Sequence, residues 1–183
     1  MGVDEGTTSM SAADLEANLQ DRSARLTRMG YRPQPTRRIA MPKPGSETER
    51  PLGISRVEDK SVELATKRGL EPRCEPLFEA CRSGSRPQRS PHQCLDALGR
   101  PLQHKRVTIL VEADRRGCCD AVHHEWWLKL LRQRIGDERV LRLRYRRCKA
   151  GIMEDGLVQA TEVGTPQGSM LSPLLANVSL HDV

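Results

Sequence analysis

The run VTILVEA, from Val107 to Ala113, constrains the fold more than any other part of the sequence. It is β-branched and apolar, and charge follows it directly, a pattern that predicts a strand seated in a sheet. Helical patterns lie on both sides of it. Helices around a few strands make the class α/β or α+β. At 183 residues the chain suffices for one domain or a domain and a half.

Other elements follow from periodicity and punctuation. Ser11 to Met29 reads as a helix capped by Ser11, with Leu15, Leu19 and Leu26 near one face. The prolines of YRPQPTRR end that pattern. Arg37 to Met41 and Pro51 to Ile54 flank the turn-rich KPGSETE and predict a hairpin. Helices are predicted over Glu58 to Leu70, His124 to Gln133 and Glu138 to Lys149. Two more start at Pro91, with Ser90 as cap, and at Pro173, with Ser172 as cap. Gly151 to Glu162 reads as a second hairpin turning at Glu154-Asp155-Gly156. No internal repeat and no clear linker stands out.

Composition narrows the function classes. Thirty basic residues against 24 acidic ones leave a formal charge of +6, which favours a polyanionic partner only modestly. Aromatics make up 3% of the chain, a thin supply for a core. No stretch approaches the ~20 apolar residues of a membrane span. The opening MGVDEGTTSMSAAD lacks the basic and apolar regions of a signal peptide. Six cysteines without CxxC or zinc-ribbon spacing then predict reduced thiols and a cytoplasmic protein.

Few residues carry chemistry on their own. Asp114 ends the VTILVEA run, and a carboxylate at a strand end can hold a hard divalent cation, although position alone favours a turn-capping Asp. Asp120 reads as a helix cap. His123 and His124 are adjacent, so on a helix they point to different sides, which speaks against a shared metal. Gly164-Thr165-Pro166-Gln167-Gly168-Ser169 is a Gly-bracketed loop before a helix, able to approach a phosphate or a base pair closely.

Several of these segments together resemble group II intron reverse transcriptases. VEADRRGCCDAVHHEW resembles the first palm motif of that family. MEDGLVQATEVGTPQGSMLSPLLANVSLH is similar to the next, with its PQG loop and SPLLAN helix. YRPQPTRRIAMPKP followed by RPLGIS resembles the fingers hairpin, and LEPRCEPLFEACRSGSRPQRSPHQCLDAL the fingers segment that meets template. MGVDEGTT resembles the family's opening sequence. The resemblance runs from Gly2 to Val183, in order. It implies fingers over residues 1–104 and part of a palm over 105–183. It implies RNA-directed DNA synthesis and splicing assistance by the complete protein, with an intron or template RNA and deoxynucleotides as partners. Asp114 then matches a metal-binding catalytic carboxylate of a two-Mg²⁺ site. Lys43, Arg50, Cys119 and Gln167 match nucleotide-side positions. Arg86, Arg89, Ser90 and His92 match the template side.

The departures also carry information. Family aromatics are replaced at Cys118, Cys119, Ser83 and Ser85, and family glycines at Gln88 and Ser169. Loss of a fully buried aromatic costs roughly 3–5 kcal/mol. No aromatic-x-Asp-Asp occurs in the sequence, so the YADD-type turn with the remaining catalytic carboxylates is missing. The expectation is a truncated N-terminal fragment, inactive alone. Its non-catalytic alternatives are a residual RNA-binding fragment and the product of a decayed mobile-element gene.

Overall fold

The computed structural model describes residues 2–4, 6–45, 47, 49–113, 123–161, 163–164 and 168–179, the side chain of Arg50 excepted. Two helices open the chain, α1 (Thr8–Ala12) and α2 (Leu15–Thr27). A single helix from Ser11 was expected. Instead Thr7 caps α1, its hydroxyl accepting from the Met10 amide, and Asp14 leaves helical geometry at φ −137° and ψ 59°. Ser11 lies inside α1, where its carbonyl accepts from Asn18.

The expected first hairpin forms from β1 (Thr36–Pro42) and β2 (Glu49–Ile54), in antiparallel register from Arg37↔Ile54 to Pro42↔Glu49. Helix α3 (Val57–Cys74) leads into a 3₁₀ turn at Glu75–Leu77. Helix α4 (Pro91–His104) begins with a full capping box. The Ser90 hydroxyl accepts from the Gln93 amide, and the Gln93 side chain accepts from the Ser90 amide. Helices α5 (His124–Arg134) and α6 (Glu138–Lys149) follow. The second hairpin is β3 (Ile152–Glu154) and β4 (Leu157–Gln159), closed by Asp155 and Gly156 at φ 50° and 80°. Two residues in that left-handed region make the primed turn that suits a twisted two-residue hairpin. Helix α7 is Ser172–Ser179. The two hairpins merge into one four-stranded sheet, order β2-β1-β3-β4, because β1 and β3 pair in parallel through Thr36↔Ile152 and Arg37↔Met153.

Residues 107–113 do not form the expected strand. Val107, Ile109, Leu110 and Val111 are exposed, Val111 to 82%. A strand needs a neighbour for its backbone groups, and among the described residues none lies beside this run. Propensity without a partner does not make a sheet.

The apolar core is elsewhere. One cluster joins Leu70 and Cys74 of α3, Phe78, Trp127 and Leu131 of α5, Leu141 and Cys148 of α6, and Leu171, Leu174, Leu175 and Val178 around α7. It draws on both sides of residue 104. Three of the chain's five aromatics, Tyr31, Phe78 and Trp127, are buried. Cys74, Cys81, Cys94 and Cys148 are free thiols. Among the described residues no helix is long and apolar enough to cross a membrane.

Candidate nucleotide and template surface

The Gly-bracketed loop before α7 is anchored at both ends. At its start the buried His124 ring donates from Nε2 to the Gly164 carbonyl at 2.6 Å. Burial holds that imidazole below its ordinary pKa, because the charged form would lose water without gaining a counterion. At the loop's end Glu63 of α3 takes the Ser169 hydroxyl at 2.9 Å and the Met170 amide at 3.0 Å on its Oε2. Between the anchors, Gly168 lies at φ 108° against the first hairpin. A Cβ there would stand 2.6 Å from the Gly53 carbonyl oxygen. Only glycine permits that approach of loop backbone to strand backbone. Gln167 lies outside the described residues.

Beneath the loop is a buried polar network that sequence reasoning missed. Arg147 of α6 donates to Glu63 Oε1 at 2.9 Å, to the Gln34 carbonyl at 2.6 Å, and to the hydroxyls of Thr36 and Ser55 at 2.5 and 2.6 Å. Asp59 stands 3.9 Å from the same guanidinium and accepts from the Tyr31 hydroxyl at 2.6 Å and the Gln34 amide at 3.2 Å. Burial pushes the Asp59 carboxyl up, against the pull of these donors, and pushes the Tyr31 phenol up as well. Thr36 and Ser55 are the two feet of the hairpin, so α6 holds the hairpin at its base. Each member lies within a polar or charged residue type that a sequence reading assigns to solvent, and only their convergence marks them.

Two of the expected nucleotide-side residues, Lys43 and Arg50, fall on this hairpin. Lys43 follows β1 and is exposed. Arg50 pairs with Met41 through its backbone. Cys119, like Gln167, lies outside the described residues.

The expected template-side residues lie along residues 86–92, where a turn runs into the start of α4, but face different ways. The Arg86 side chain is 6% exposed and binds the Glu75 carboxylate at 2.8 Å. It also donates to the carbonyls of Glu79 and Arg82 and lies 5.5 Å from the Phe78 ring centroid. Its guanidinium holds the turn together from inside rather than reaching outward. Ser90 caps α4. Arg89 and His92 are exposed. Ser85 and Gln88 sit at φ 55° and 58°, the region that favours glycine. The turn docks on the C-terminal end of α7. Arg82 donates to the Asn177 carbonyl at 2.7 Å, and Asn177 donates to the Gly84 carbonyl at 2.8 Å. The loop leads into the other end of α7. Eight residues of helix, about 12 Å, therefore separate the two candidate surfaces.

Asp114 lies outside the described residues. Among those described, no group of three or more His, Cys, Asp or Glu is placed to hold a metal ion, so these residues do not by themselves compose a Mg²⁺ site. His123 precedes α5 in extended geometry, bridged to Val163, and is exposed, whereas His124 opens the helix and is buried.

This arrangement is that of the fingers and adjoining palm of reverse transcriptases. The chain superposes on solved Cas6-RT-Cas1–Cas2 complexes over 97% of its length with a TM-score of 0.62. At 21% identity, that likeness speaks for the fold alone. The sequence settles the family. Residues 41–183 match the model described as reverse transcriptase (RNA-dependent DNA polymerase), and the chain belongs to that family. Its relatives include the group II intron-encoded protein LtrA of Lactococcus lactis subsp. cremoris, 41% identical over 153 residues. They also include protein YkfC of Escherichia coli (strain K12), 35% identical over 184 residues. The matches cover 84% and 99% of this chain, but 25% of LtrA and 48% of YkfC.

Proposed function

We propose that this chain supplies the fingers and first part of the palm of a group II intron reverse transcriptase, with fingers over residues 1–104 and palm from 105. The supporting observation is the backbone contact of Gly168 with Gly53, which joins the two expected nucleotide-side segments into one surface. On this reading Lys43 and Arg50 face the nucleotide phosphates, and Gln167 and Cys119 the nascent base pair and sugar. Arg89 and His92 contact template RNA in the cytoplasm, with Arg86 and Ser90 shaping the turn that presents them. Cations beside phosphate oxygens neutralise their charge, and a preorganised backbone adds no reorganisation cost. Asp114 is this chain's candidate ligand for Mg²⁺. Polymerisation needs carboxylates beyond it, so the chain alone does not extend a primer.

Primer extension on an RNA template with Mg²⁺ or Mn²⁺ tests that last point. No product above an Asp114→Ala control is expected, and Asp114-dependent extension refutes it. The surface assignment is tested by RNA binding across a salt series. Lys43→Ala with Arg89→Ala should weaken binding more than Arg142→Ala with Lys149→Ala, an exposed pair on α6. Equal losses would leave only net charge at work. The second reading, a non-catalytic RNA-binding piece, is favoured by the failure of residues 107–113 to form the strand that would present Asp114. RNA binding that survives competition from unrelated RNA, with no extension, supports it.

A further inference from the structure

Glu63 stands between two parts of the candidate surface. One carboxylate oxygen takes Arg147, which grips both feet of the hairpin at Thr36 and Ser55. The other takes the end of the loop through the Ser169 hydroxyl and the Met170 amide. The side chains of Glu63 and Arg147 are 6% and 5% exposed, and Ser169 is 6% exposed. Water is therefore a poor substitute for any of these donors, and losing one leaves a charged acceptor short in a buried place. Farther out, hairpin and loop touch again at Gly53 and Gly168.

We infer that Glu63 is a positioning residue acting through Ser169. It fixes the loop in register on the hairpin, so that the two segments hold one relative geometry and loosen together. The hydroxyl matters because a glycine or alanine at position 169 would leave only the Met170 amide on Oε2. The sequence feature that made Ser169 a departure from the family pattern is thus the group that completes the tether. That these segments face the nucleotide rests on the function proposed above. The tether itself rests on the buried contacts.

Hydrogen exchange on the 183-residue chain tests the tether without nucleic acid. In Ser169→Ala, the Met170 amide and the β1–β2 ladder should exchange roughly tenfold faster, the equivalent of one lost hydrogen bond, while α5 stays as protected as before. Ser169→Thr keeps a hydroxyl and should restore hairpin protection. Ser172→Ala is the control. Ser172 is equally close to the core, its hydroxyl has no partner among the described residues, and its loss should leave the hairpin unchanged. An unchanged hairpin in Ser169→Ala overturns the inference. So does a loss of protection shared by α5 or reproduced by Ser172→Ala, since either outcome means general destabilisation. A labelled RNA–DNA hybrid duplex then separates the two levels. Coupled exchange together with hybrid binding that is indifferent to Ser169→Ala and to Lys43→Ala upholds the tether and removes the nucleotide-side reading.

Discussion

The ground under the loop and the stretch from α4 to residue 113 are built in opposite ways. Beneath the loop, Tyr31, Asp59, Glu63 and Arg147 are all buried, as are Leu131, Leu174 and Leu175 of the core. Helix α4 has a complete capping box and no buried residue at all. Its Leu95, Leu98 and Leu102 are exposed, as are Ile109 and Val111 after it. A cap satisfies orphan amides and so makes a helix locally. It does not supply anything for an apolar face to lie against. The distant polar residues Tyr31, Asp59, Glu63 and Arg147, by contrast, find their partners in the interior. Local order and burial are therefore separate properties, and this chain displays each nearly without the other.

The sharpest way to break the contrast is at Arg147. Arg147→Ala leaves Glu63 and Asp59 buried without their cation and should cost about 3–5 kcal/mol, read by denaturant unfolding. A loss under about 1 kcal/mol would mean that the network is solvated in solution. Next is apolar truncation on the two sides. Leu131→Ala, at a residue 1% exposed, should cost about 2–5 kcal/mol, whereas Ile109→Ala should fall within about 0.5 kcal/mol. Equal costs would show that residues 107–113 are covered after all.

Ser90→Ala sharpens the comparison further. The lost cap is worth about 0.5–2 kcal/mol. Because α4 buries nothing, hydrogen exchange should register the loss within α4 and hardly at all in α5 or α6. Gln88→Gly relieves a left-handed residue in the neighbouring turn and should stabilise it by up to about 1 kcal/mol, seen as slower exchange around Arg89.

The smallest effect concerns pH. Burial lowers the His124 pKa in the folded chain, so below neutrality the unfolded state binds the extra proton. The contribution is complete above the unfolded value of about 6.5 and is lost as pH falls through the folded one. His124→Gln keeps an amide donor for Gly164 and does not titrate. The wild-type chain should lose stability relative to this variant between about pH 7 and pH 5. Parallel curves would show that the ring is open to water.

Much of the framework was legible in the sequence because its signals are short-range. The prolines and glycines around β1 and β2, the Asp155-Gly156 turn and the cap of α4 each act within a few residues, whereas Ser172, expected as the cap of α7, lies inside the helix with its hydroxyl unpartnered among the described residues. The split between α1 and α2 was not legible, since Asp14 can cap a helix or continue one with little difference in cost. VTILVEA misled because β propensity reports suitability for a sheet and says nothing about who the neighbour is. The loop's tether was hidden for the same reason in polar form. Glu63 and Arg147 lie 84 positions apart, and nothing local distinguishes either from a solvated surface charge. Arg86 shows the reverse. It was expected on the template side, and the structure shows Phe78 and two carbonyls holding its guanidinium inward.

The parallel pairing of β1 with β3 has a consequence in time. Where it closes, Arg38 meets Glu154 at 3.5 Å, and the two are 116 positions apart. A ribosome adding about 5–20 residues per second delivers β3 on the order of ten seconds after β1. A β-hairpin forms in about 1–10 µs. Over that interval the first hairpin is complete while one edge of β1 stays unpaired, open to any other extended chain it meets. The exposed charges at Arg37 and Arg38, on that same strand, keep such a meeting from being adhesive.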